Sequence, residues 1–169
     1  VITGTVNGSK QEVARYTFAA TCNPAEGGTI SQNPAGTEFD ADTEIKLSAK
    51  KNFGYKFVNW TDDKGNVLGT ENDLKVVLTK NMEVEANFQE LNTYSLDVTV
   101  NAPGKDYMVS ATPAATVVDG KNMYEEGTKV TLTASSNKIV TFNSWSNGET
   151  SAELQFDMTE DKAIEANYS

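Results

Sequence analysis

Glu44-Ile45-Lys46-Leu47-Ser48-Ala49-Lys50 alternates without a break. In an extended chain Ile45, Leu47 and Ala49 fall on one side and Lys46, Ser48 and Lys50 on the other, the signature of a half-buried antiparallel strand. The device recurs at Thr128-Lys129-Val130-Thr131-Leu132-Thr133-Ala134. Two further alternating runs, Glu83-Val84-Glu85-Ala86-Asn87-Phe88 and Ala163-Ile164-Glu165-Ala166-Asn167-Tyr168, each close a segment.

Outward from these strands the chain repeats itself. Tyr16, Asn23-Pro24, Thr43 to Ala49, Phe57-Val58-Asn59-Trp60 and Glu85-Ala86-Asn87-Phe88 return in order as Tyr94, Asn101-Ala102-Pro103, Thr128 to Ala134, Phe142-Asn143-Ser144-Trp145 and Glu165-Ala166-Asn167-Tyr168. The offset is 78 from Tyr16 to Tyr94, 85 from Trp60 to Trp145 and 80 from Glu85 to Glu165. The second copy therefore gains about seven residues before Tyr124 and loses about five after Trp145, changes that surface loops tolerate. A period near 80 residues within 169 predicts two compact modules at 14–90 and 91–169. Residues 1–13 read as the tail strand of an upstream domain, Val1 to Val6, plus a polar linker.

Gly, Pro, Asn and Asp clusters at 24–28, 63–66, 103–106 and 146–148 separate the runs. Asn147-Gly148 is the expected hairpin turn, because both residue types tolerate positive φ. No stretch of 11 residues has a helical period; Lys10 to Ala14 and Thr159 to Lys162 amount to one turn at most. The fold class is all-β: two tandem small antiparallel modules.

Twenty-four acidic against 14 basic residues give a net charge of −10, which repels nucleic acid and anionic membranes. No apolar run is long enough for a membrane-spanning helix. The start at Val1 carries no signal-peptide pattern, so the chain reads as an excised or mature segment. With no histidine, triads and metal sites built on imidazole are excluded. The single Cys22 forms no internal disulfide and reads as a buried structural thiol.

The order of a Tyr-led strand, Asn23 to Gly28, an acidic-Thr strand, Gly54-Tyr55-Lys56-Phe57-Val58-Asn59-Trp60, a polar hairpin and Glu85 to Phe88 resembles the bacterial repeat modules related to internalin B-repeats. The resemblance covers Tyr16 to Tyr168. Its second copy departs where Asn101 to Asp106 replaces the Gly-Gly turn and Lys138-Ile139-Val140 replaces Gly-Tyr-Lys. The resemblance implies β-grasp-like modules, extracellular or at the cell surface of bacteria. Such modules occur in tandem beside leucine-rich repeats, adhesin domains or polysaccharide-degrading enzymes such as pectate lyases, and share no catalytic residues or cofactor.

Trp60, Trp145, Phe57 and Phe142 hold matched positions in both copies and are expected in the core. Phe53 and Tyr55, flanking Gly54, and Tyr107 in the altered loop of the second copy are the candidates for contact with a sugar or a protein partner. Asp62-Asp63-Lys64-Gly65-Asn66 lacks the spacing of a calcium loop and reads as a solvated hairpin. No carboxylate pair stands in a recognisable catalytic setting, and the only arginine, Arg15, is placed in the linker opening the first module. The expected function is a non-catalytic accessory segment that positions a neighbouring domain of the same polypeptide or mediates adhesion to a surface protein. The alternative is a carbohydrate-binding module holding an enzyme on polysaccharide. Adhesion through an open sheet edge is a third reading.

Overall fold

The computed structural model describes residues 12–103 and 108–169. All but the last two residues of the expected tail segment, and Tyr107, lie outside them. Among the described residues the chain divides between Glu90 and Leu91 into two compact units.

The first module runs β1 (Arg15–Asn23), β2 (Gly28–Asn33), β3 (Glu38–Asp40), β4 (Glu44–Lys51), β5 (Tyr55–Asp62), β6 (Val67–Gly69), β7 (Asp73–Val77) and β8 (Met82–Glu90), with one 3-10 turn at Ala25–Gly27. A five-stranded sheet has the order β3-β1-β8-β5-β6 and a three-stranded sheet the order β2-β4-β7. Ile45, Leu47 and Ala49 do face inward, meeting Phe18, Trp60, Val84, Ala86 and Phe88 from the larger sheet in one cluster. Apolar burial at roughly 25 cal/mol per Å² drives this closure. Outward residues of β4 stay in water.

The second module repeats the plan with β9 (Thr93–Asn101), β10 (Met108–Thr112), β11 (Thr116–Val118), β12 (Lys121–Glu125), β13 (Lys129–Ser135), β14 (Phe142–Trp145), β15 (Glu153–Asp157) and β16 (Lys162–Tyr168). Its sheets are β11-β12-β9-β16-β14 and β10-β13-β15. The core joins Leu96, Tyr124, Val130, Leu132, Trp145, Met158 and Ala166. Each apolar cluster is drawn wholly from its own module. The extra residues before Tyr124 build β11, an added edge strand, and the shortened hairpin after Trp145 removes the counterpart of β6.

Among the described residues pairing is antiparallel with one exception per module. β1 runs parallel to β8, with Asn23 opposite Asn87, and β9 parallel to β16, with Asn101 opposite Asn167. Placing first and last strands side by side and parallel is the β-grasp-like element of the fold. No helix forms at Thr159 to Lys162.

The hairpin expectation needs correcting. In Asn147-Gly148 only Gly148 has positive φ, at 95°. The two-residue turn with both positions positive is Asp119 (50°) and Gly120 (76°), joining β11 to β12. That pair of angles matches the right-handed twist of the strands it connects.

Candidate functional site

Residues repeated between the copies are consumed by structure. Trp60 is 0% and Trp145 1% exposed. The Trp60 indole N–H donates to the Glu71 carbonyl at 2.9 Å, and that of Trp145 to the Ser151 carbonyl at 2.8 Å. Phe57 and Phe142 are partly buried and pack against those indoles at 5.6 and 4.9 Å between centroids. Phe88 and Tyr168 complete the two clusters edge-on.

Phe57 and Trp60 are three residues apart, a spacing that in a regular strand puts them on opposite faces. A β-bulge resolves the conflict. Phe57 pairs with Phe88 and Asn59 with Asn87, so Val58 is the extra residue, and it is 41% exposed. The same shift between Phe142 and Ser144 makes Asn143 the extra residue in the second module. Both aromatics therefore point inward.

The repeated asparagines form ladders across the parallel strands. Asn87 donates from Nδ2 to Asn59 Oδ1 and Thr61 Oγ1, both at 2.9 Å, and Asn23 donates to Asn87 Oδ1 at 3.4 Å. Asn101 donates to Asn167 at 3.3 Å. Thr43 and Thr128 hydroxyls donate to the Asp40 and Glu125 carbonyls at 2.7 Å. Asp42 and its counterpart Gly127 share a left-handed backbone, at φ 66° and 80°.

Asn52 to Tyr55 forms the turn from β4 into β5, with the Tyr55 N–H donating to the Asn52 carbonyl. Asn52 braces it, donating from its backbone to the Gly27 carbonyl and from Nδ2 to the Glu26 carbonyl, both at 2.9 Å. Phe53 sits at the tip and Tyr55 on the flank, both partly exposed. Tyr55 packs against the core; with Phe57 matched to Phe142 its place falls to the buried Val140, one position on from the Ile139 set against it in the sequence. Burial pushes the Tyr55 phenol upward, helped by Glu26 and Glu90. Phe53 and Tyr55 thus share one turn, within the electrostatic reach of Glu26 and Glu90 at Tyr55.

Asp62 staples its hairpin by accepting from the Lys64 and Asn66 backbone N–H groups, each at 2.9 Å, and from Asn66 Nδ2 at 3.0 Å. The Asn66 side-chain and backbone bonds hold its carboxyl below the usual range. Arg15 is not in a linker: it opens β1 and clamps the edge strand β3 through Glu38 at 3.1 Å and Asp40 at 2.7 Å. Cys22 is only partly buried, which raises its thiol.

One feature escaped the reading of the sequence as a site. The outward face of β2-β4-β7 forms a groove of about 460 Å³ whose nine lining residues include Lys46, Lys75, Ser48 and Asp73 together with Leu47 and Leu74. Its signal lay in the polar half of the strand alternation, which reads as solvated surface until three strands are laid side by side.

Two copies of one β-framework, whose shared polar groups are spent on ladders and turns, define a tandem structural repeat. The family model described as Divergent InlB B-repeat domain matches residues 18–92 and 107–169. The chain belongs to this family of non-catalytic bacterial repeat modules. No curated protein matches it.

Proposed function

We propose that this chain is an accessory segment of a larger secreted or cell-surface bacterial protein, in which two modules space and orient a neighbouring domain. The observation that supports the reading is the fate of the repeated residues: indoles capped by backbone carbonyls, paired asparagines and turn-closing threonines. What duplication has kept is the frame. A nine-residue strand such as β1 spans about 30 Å at 3.3 Å per residue, so each module is a rigid increment of that order.

Fluorescent proteins fused at both ends, with and without residues 91–169, test the reading through energy transfer. A spacer predicts lower transfer when the second module is present. Equal transfer in both forms would sink it. The second reading, a carbohydrate-binding module beside a polysaccharide-degrading enzyme, draws support from the paired exposure of Phe53 and Tyr55 at one turn; loss of glycan retention in Phe53→Ala tests it.

A further inference from the structure

The outer face of β2-β4-β7 carries a feature that neither the frame nor the spacer reading requires. Lys46 stands directly opposite Lys75 in the β4–β7 register. Like charges at facing positions on one sheet face destabilise the pairing. Lys75 reaches a carboxylate, Glu44, at 3.6 Å, and Asp73 stands opposite Ser48 on the same face. Among the described residues neither Lys46 nor Lys50 has an ion pair.

The second module is an internal control. Thr131, Ser135 and Gln155 occupy the places of Lys46, Lys50 and Lys75, and Gln155 donates to Thr131 at 3.0 Å across the strands. The fold thus accepts a neutral, hydrogen-bonded face at these positions, and the first module holds three cations there instead. They are three of the nine basic residues in a unit that carries 13 acidic ones. On this face the three lysines stand against two carboxylates, Glu44 and Asp73, a local surplus of one positive charge.

We propose that this groove, with Lys50 two residues beyond its lining on β4, binds a strand of anionic polysaccharide. Lys46 and Lys50 lie four residues apart on β4, about 13 Å, a spacing that meets successive acidic groups of a polymer rather than one small anion. Lys75 flanks them from β7. Between the cations stand hydroxyls, an amide and one carboxylate, Thr29 opposite Lys50, Ser31 opposite Ser48, Asn33 opposite Lys46 and Asp73 on the other side of Ser48, all groups that can hydrogen-bond sugar hydroxyls. The central strand β4 is paired on both sides, so the face is read through side chains and not by strand addition. The site is separate from Phe53 and Tyr55 and does not depend on the spacer reading.

Affinity electrophoresis of the full chain through polygalacturonate, dextran sulfate, dextran and poly-glutamate tests this. Retention by either charged glycan is expected, weakening as salt rises. The first two arms separate carboxylate from sulfate recognition. The triple variant K46T/K50S/K75Q, which installs the second module's residues, should lose about tenfold in affinity, a factor of two to three per cation. The variant K56T/K64S/K80S, with the same change in net charge elsewhere, should lose less than about twofold on the same reasoning. Lys46→Thr should raise or leave unchanged the unfolding midpoint, which separates lost binding from lost fold. Equal loss in the two triple variants, no retention of the wild type by either charged glycan, or equal retention by poly-glutamate would each overturn the proposal. The energy-transfer test of the spacer is unaffected by any of these results.

Discussion

Each module holds one tryptophan, so replacing Trp60 by Ala is a perturbation whose effects are read module by module. Trp60 is fully buried, touches Phe57 and donates to the Glu71 carbonyl. Truncating a buried tryptophan to alanine costs about 3 to 5 kcal/mol. A domain of the 76 residues from Arg15 to Glu90 has a total stability of about 4 to 11 kcal/mol, so the substitution removes about a quarter of it or more. Trp60→Phe refills most of the volume, loses the indole donor, and should cost about 1 to 2 kcal/mol. The assay is denaturant unfolding followed by far-ultraviolet circular dichroism for the whole chain and by the fluorescence of the remaining Trp145. Because the two apolar clusters share no residue, the Trp145 transition should stay at its wild-type midpoint while a separate transition moves to lower denaturant. A Trp145 midpoint that falls with the substitution would refute the closed-core argument. An unchanged first transition would refute the burial argument.

Other perturbations follow from single geometries. Gly28→Ala places a Cβ 2.4 Å from the Lys50 carbonyl oxygen and 2.5 Å from Phe88 Cζ; since its φ of 176° suits any residue, the conflict is purely steric, and a loss of about 1 to 3 kcal/mol should appear in thermal unfolding. Deleting Val58 removes the bulge without changing which face Trp60 occupies, so the fold should survive with a loss under about 1.5 kcal/mol. Thermal unfolding followed in the amide spectrum checks this, and a loss of several kcal/mol would contradict the reading of Val58 as a single extra residue. The Asp62 carboxyl is depressed in the fold, so its stabilising contribution is present above the unfolded value near about 4 and is lost as pH falls through the lower folded value. The difference in melting temperature between wild type and Asp62→Ala should therefore shrink on acidification, and a difference that grows would contradict the staple.

Much of the architecture was legible because alternation and duplication are properties of short windows. Ile45, Leu47 and Ala49, with Val130, Leu132 and Ala134, declare their buried side by period alone, and all six are buried. The 78-to-85 offset marked the insertion that became β11. Turn type was less legible. Asn-Gly and Asp-Gly carry the same propensity, and the flanking strands selected Asp119-Gly120 over Asn147-Gly148 for the doubly positive turn. The lysine-lined groove was hidden for a similar reason: Lys46 and Lys75 are 29 residues apart and become neighbours only through β4–β7 pairing.

The sequence by itself determined that this chain is two copies of one strand-rich frame, which side of each strand is apolar, and that its family is one of bacterial repeats without shared catalytic residues. Only the tertiary structure decided that first and last strands pair in parallel, that a bulge turns Phe57 and Trp60 to the same face, and that three lysines share one surface. The physical reason is range. Period and propensity are set by a residue and its chain neighbours, whereas direction, register and the composition of a sheet face depend on which distant edges meet when the core closes.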